Sequence, residues 1–145
     1  MFRHILIPTD DSSLSRIALE RGLDMAKAMD ARATVVHVGK PFHVFAAEGA
    51  AVTDTRPEYE RNAKAKAEKI TLAVEAAAKK RGVNCRTAIV AGEHPYEEIV
   101  RMALEEGCDL VVMASHGRKG VRALLLGSET QKVLTHSSIP VLVYR

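Results

Sequence analysis

The chain has 145 residues, a length that buries a single hydrophobic core. Apolar residues make up 47% and aromatics only 4%, with no tryptophan, which suits helices packed closely on a buried sheet and argues against a base-stacking nucleic-acid surface. The net charge of +3 comes without a block of like charges, so solvated helix faces account for most of the lysines and arginines, and nucleic acid is not an expected partner.

Met1 to His4 lead straight into a short apolar run, Ile5–Ile7, with no leader-like pattern, and Asp10 and Asp11 follow. No stretch approaches the ~18 apolar residues of a membrane span, so a cytoplasmic location without membrane contact is expected. Ile5–Ile7 reads as a first strand. From Ser12 to Met29, Leu14, Ile17, Ala18, Gly22, Met25, Ala26 and Met29 form one helical stripe, with Ser12 or Ser13 as the cap. Thr34–Val38 is a second strand. Residues 39 to 56, with Phe42 and Phe45, read as a long connection that either lids a ligand site or is disordered.

A helix is predicted from about Glu58 to Arg81, with Ala63, Ala67, Ile70, Val74 and Ala77 on one face and Gly82 as its stop. Thr87–Val90 is a third strand. Pro95 opens the next helix, with Glu97 and Glu98 near its positive end and Gly107 closing it. Leu110–Met113 is a fourth strand, and a helix from about Ser128 to His136 follows. Pro140 then permits only extended chain into a fifth strand, Val141–Val143. Cys85 and Cys108 lack metal-ligand spacing and are expected to stay reduced.

Strands alternating with helices predict an α/β fold: one domain, 1–145, with a doubly wound, five-stranded parallel sheet, Rossmann-like, and helices on both faces. The apolar runs are continuous and not alternating, so the strands are expected to be buried on both faces. Ligands of such sheets lie outside the carboxyl ends of the strands, at the point where the winding reverses. That rule selects 8–13, 38–56 and 114–128.

The most informative stretch runs from Met113 to Ser128. It leaves a strand, passes Gly117 and Gly120 with Arg118, Lys119 and Arg122, and enters a helix at Gly127-Ser128. Glycines let the backbone approach a ligand closely, and free N–H groups at a helix start bind anions. Such a segment can cradle phosphates, or it can be a plain glycine-rich loop with a helix cap. Its spacing is neither that of a Walker loop nor that of a dinucleotide fingerprint.

At this stretch the chain resembles the universal stress protein family, over nearly its whole length. Nucleotide-binding members carry Gly-x2-Gly-x9-Gly-Ser/Thr after the fourth strand; here Ala114-Ser115-His116-Gly117 is followed by nine residues and Gly127-Ser128. The leucines before Gly127, the ending Ser138–Tyr144, the opening Ile7–Ser12, His37-Val38 and Gly92–Pro95 are similar as well. The resemblance implies a stress-response regulatory protein that binds ATP or another adenine nucleotide, with Mg²⁺ held through the phosphates. It implies that Asp10 lies near adenine and ribose, that Pro8 and Thr9 shape that wall, and that Val38 and Met113 give apolar contacts. Ala114, Ser115, His116, Gly117, Arg118, Lys119 and Gly120, then Gly127, Ser128, Glu129 and Thr130, would hold ribose and phosphates. Two positions depart from the pattern: Ala114 stands for the first glycine, and Glu129 adds a negative charge.

Three other readings stay open. A dimeric interaction or scaffold module could share this fold without binding ATP, and a weak ATPase or autophosphorylating protein could use the same site. Asp10-Asp11 could belong to a phosphoacceptor domain, but that needs an aspartate after the third strand and a lysine after the fifth, where this chain has Gly92-Glu93 and Tyr144-Arg145. The six histidines show no paired metal spacing, and no side chain is nominated as catalytic or metal-binding. The last strand should form a sheet edge, and both that and the resemblance imply a homodimer through Val141, Leu142 and Val143.

Overall fold

The computed structural model describes residues 1–48, 55–117 and 125–145. In chain order the elements are β1 (His4–Pro8), α1 (Ser13–Ala28), β2 (Arg32–Gly39), α2 (Phe42–Ala47), α3 (Arg56–Arg81), β3 (Cys85–Ala91), α4 (Pro95–Glu105), β4 (Leu110–Ala114), α5 (Ser128–His136) and β5 (Val141–Tyr144). All pairings are parallel, and the strand order is β3-β2-β1-β4-β5. This is the doubly wound α/β sheet that the alternating pattern predicts.

Local chemistry sets the helix ends. Ser12 caps α1, its hydroxyl accepting from the Ser15 N–H at 3.3 Å. Thr55 and Glu58 form a reciprocal capping box at the start of α3, and Gly82, at φ +66°, ends it in the left-handed conformation that a β-carbon disfavours. Pro95 occupies the first turn of α4, as expected.

The core divides by strand alternation. Ile5, Ile7, Val35 and Val112 pack under Leu19, Leu23 and Ala26 of α1 and Ile70, Val74 and Ala78 of α3. Leu6, Val36, Val111 and Met113 pack under Ile99, Met102 and Ala103 of α4 and Val133 of α5. Successive side chains of each strand thus serve opposite faces. At Gly22 α1 lies close on the sheet: a β-carbon there would lie 2.6 Å from Ile7 Cδ1.

Two expectations change. Burial on both faces holds for β1 and β4 but not for β3, where only Ala88 is buried and Ile89 is 44% exposed, nor for β5, whose four residues are all only partly buried. The strand order leaves β3 at one edge and β5 at the other, so each lacks a neighbour on one side. Within the connection read as loop, residues 42–47 form α2. Phe42 and Phe45 stack near Tyr59 of α3, with ring centroids 5.5 and 4.5 Å away. The Tyr59 hydroxyl donates to the Lys40 carbonyl, and Lys40 pairs with Glu48 at 2.7 Å. The lid reading otherwise falls on 49–54, outside the described residues.

Candidate functional site

The winding reverses between β1 and β4, with β2 and β3 on one side and β5 on the other. The β1–β4 ladder is short, pairing Ile5 with Leu110 and Leu6 with Val111, whereas β1 and β2 stay paired to Pro8 and Val36. A crevice therefore opens between the carboxyl ends of β1 and β4, where open α/β sheets bind ligands.

One wall follows β1. Pro8 is buried, and the Thr9 N–H donates to the Val36 carbonyl at 2.9 Å. His37 Nδ1 lies 2.9 Å from the Thr9 carbonyl and donates to it, which leaves Nε2 as the ring's acceptor nitrogen when the ring is neutral. The Thr9 hydroxyl lies 3.2 Å from that of Ser15 and accepts from the Asp11 N–H. Asp10 Oδ1 accepts from the Ser12 N–H at 3.0 Å, which directs Oδ2 across the crevice. A β-carbon on Gly117 would lie 2.3 Å from that Oδ2.

The other wall follows β4. The Ser115 N–H donates to the Tyr144 carbonyl at 2.6 Å, and the Gly127 N–H donates to the Ser115 carbonyl at 2.7 Å. A β-carbon on Gly127 would lie 3.1 Å from His116 Cα. The Thr130 hydroxyl, buried, donates to the Ala114 carbonyl at 3.0 Å. The departing and returning chain are thereby pinned together, and α5 begins directly at the end of β4. The N–H groups of Ser128, Glu129 and Thr130 have no partner inside α5, as in the first turn of any helix, and they carry the positive end of its dipole.

Both departures from the family pattern find an account. Ala114 is a buried strand residue paired with Tyr144. Among the described residues only Asp11 and Asp30 are non-glycines with positive φ, so Ala114 bears no left-handed strain. The Glu129 carboxylate turns to α4, where Oε2 accepts from the Tyr96 N–H at 2.9 Å, while Oε1 lies 3.4 Å from Lys132 Nζ. Spacing alone gave no sign of Tyr96, because this contact depends on how α4 and α5 pack side by side.

Val38 stands on β2, half-buried against the α4-side core that includes Met113, itself buried. The described site residues thus gather at the carboxyl ends of β1, β2 and β4 and the start of α5. Arg118, Lys119 and Gly120, with Arg122, lie outside the described residues. A separate groove of about 320 Å³ lies between α1 and α3 and shares only Thr9 with the expected set. At its mouth Asp11 lies 3.0 Å from Arg16 and 3.9 Å from Lys69.

Among the described residues, no group of three or more His, Cys, Asp or Glu side chains could hold a metal ion. Burial pushes the thiols of Cys85 and Cys108 up to about 11, so both are protonated at neutral pH and poor nucleophiles. No helix among the described residues is long and apolar enough to cross a membrane.

Fold and topology together define a doubly wound, parallel α/β domain of the Rossmann-like class, and sequence comparison gives the family. The model of the universal stress protein family matches residues 1–145. Universal stress protein YxiE of Bacillus subtilis is 31% identical over 150 residues, covering 100% of both chains. Universal stress protein MJ0577 of Methanocaldococcus jannaschii is 32% identical over 160 residues, covering 100% of this chain and 96% of its own. The solved structure of MJ0577 superposes with a TM-score of 0.78 over 99% of this chain and 95% of that one, at 31% identity. The chain belongs to the universal stress protein family. Two further structures show the same fold. One is a universal stress protein in complex with cAMP (TM-score 0.72, 23% identity, 99% and 97% coverage). The other is that of Archaeoglobus fulgidus in complex with dAMP (TM-score 0.69, 16% identity, 100% and 98% coverage).

Proposed function

We propose that this chain is a stress-response regulatory protein that binds an adenine nucleotide in the crevice between β1 and β4. The observation that carries the reading is how the crevice is framed: Asp10 and Gly117 meet at one end of it, and α5 starts at the pinned loop end, Gly127. Phosphates would take the first-turn N–H groups and the hydroxyl of Ser128, with Arg118 and Lys119 adding positive charge. Asp10 would accept hydrogen bonds from ribose hydroxyls. Pro8, Thr9, Val38 and Met113 would form the wall beside the base, and Ser115 and His116 would line the turn. Since the described side chains form no metal cluster, Mg²⁺ would be held chiefly through the phosphates. The cAMP and dAMP complexes of structurally similar proteins support an adenine ligand.

Calorimetric titration with ATP, ADP and AMP, with and without Mg²⁺, tests this. Micromolar binding is expected, reduced by about tenfold or more in Gly127→Asp, which sets a carboxylate beside the helix start. No binding by the folded native protein would overturn the reading in favour of an interaction module.

The same reading includes a homodimer through β5 and a cytoplasmic location. The β5 edge offers Val141, Leu142 and Val143, each only partly buried, on a side where no described strand pairs with it. Sedimentation should show a dimer at micromolar concentration and a monomer for Val143→Lys. A native monomer there would sink the dimer without touching nucleotide binding.

A further inference from the structure

We infer that Glu129 is a positioning residue of the candidate nucleotide site: its carboxylate caps α4 and thereby fixes the first turn of α5. The consequence for ligand binding rests on the reading above, whereas the cap does not.

Helix α4 begins without a cap of its own. His94, at the cap position, makes no side-chain hydrogen bond to the first turn, and Pro95 has no N–H. Tyr96 is therefore the first residue of α4 whose N–H needs a partner, since the Glu97 N–H already donates to the His94 carbonyl at 3.1 Å. The acids of the first turn are engaged elsewhere. Glu97 accepts from the Tyr96 hydroxyl at 3.0 Å, and Glu98 pairs with Arg101 at 2.5 Å. The partner comes from the neighbouring helix, as Glu129 Oε2 at 2.9 Å, with Lys132 one turn further along α5 steadying Oε1.

Glu129 sits in the first turn of α5, beside the N–H groups that a phosphate would use. A carboxylate free to fold back there would take those donors and repel the phosphate. Held by Tyr96, it instead answers the positive end of α4, and the tether fixes α5 at the point where Gly127 meets Ser115. One side chain thus satisfies one helix terminus and keeps its neighbour open. The same bond ties the crevice to the exposed end of α4, so ligand occupancy and Tyr96 protection are reciprocally linked.

The experiment compares native protein, Glu129→Gln, which keeps a carbonyl acceptor, and Glu129→Ala. Amide exchange is read by NMR at Tyr96 and at Gln131, whose N–H donates to the Gly127 carbonyl at 3.0 Å. ADP is titrated in parallel. In Glu129→Ala both amides should exchange about tenfold faster and ADP should bind several-fold more weakly, while Glu129→Gln stays within about twofold of native. Unchanged exchange at Tyr96 in Glu129→Ala would overturn the cap. Tighter ADP binding by both variants would place the carboxylate beside the phosphates and overturn the positioning role. If the native protein binds no ADP, the nucleotide reading fails, and exchange at Tyr96 and Gln131 still decides whether Glu129 caps α4 and fixes α5.

Discussion

Asp10 and Gly117 stand opposite each other at the point where the sheet reverses its winding: the space a β-carbon would need on Gly117 is taken by Asp10 Oδ2, 2.3 Å away. The Ser12 N–H holds the other oxygen of that carboxylate, so the group cannot swing aside without losing a bond. The start of β1's following turn and the start of the loop after β4 are therefore fitted to one another.

Gly117→Ala should destabilise the fold by about 1 kcal/mol, because Gly117 is exposed and Asp10 can make room by giving up its bond to the Ser12 N–H. The double variant Asp10→Ala, Gly117→Ala should regain most of that stability, since the obstructing oxygen is gone, yet bind nucleotide no better than Asp10→Ala alone. Urea unfolding and calorimetry separate the two effects. A Gly117→Ala protein as stable as native would show that the walls can part freely.

Gly22 makes a second close fit, this time within the core. Alanine favours a helix over glycine by about 1 kcal/mol, but Gly22 is buried and its new methyl would meet Cδ1 of the fully buried Ile7 at 2.6 Å. Overpacking should win, with a net loss of about 1 kcal/mol, recovered when Ile7→Val removes the obstructing carbon. A thermal melt of the single and double variants reads this directly, and a stabilised Gly22→Ala would refute it.

Thr130→Val keeps the shape of a buried side chain and removes the donor to the Ala114 carbonyl. Losing a buried hydrogen bond of this kind costs about 1–3 kcal/mol. The loop ends should also loosen, seen as faster exchange of the Gly127 N–H. Unaltered stability and exchange would mean that the Ser115–Gly127 bond suffices.

At the opposite end of the sheet, His4 is buried and neutral. Its Nδ1–H donates to the Glu106 carbonyl at 3.0 Å, so Nε2 accepts from the Thr34 hydroxyl at 2.8 Å. Burial, and then the Arg32 charge, lower its pKa below the ordinary 6.5, against the opposing pull of Glu106 and Asp109. The unfolded chain therefore binds the extra proton first. This contribution to stability is complete above pH 6.5 and is lost as the pH falls from there towards the folded value. Melting temperatures between about pH 7 and pH 5 should fall more for the native protein than for His4→Gln. Equal slopes would assign the pH dependence to other groups.

Much of the architecture is written locally. Ser12, Gly82 and Pro95 mark helix ends because a cap or a φ angle concerns only residues within a turn of it. The apolar runs mark the strands, and alternation with helices dictates a parallel sheet. The glycines and Ser128 single out the stretch after β4 as a candidate ligand site. None of this needs knowledge of what lies across the sheet.

The tertiary structure alone decides which strands are edges, and so why Ile89 is exposed while Val35 is buried. It also decides that Phe42 and Phe45 find Tyr59 and thereby sustain α2, a helix too short to be stable by itself. The same holds for the two contacts that shape the crevice, Asp10 with Gly117 and Glu129 with Tyr96. Each joins residues distant along the chain, and their meeting depends on strand order and on helix packing. No periodicity or cap signal in either segment carries that information, because the forces that create the contact act only once the sheet has assembled.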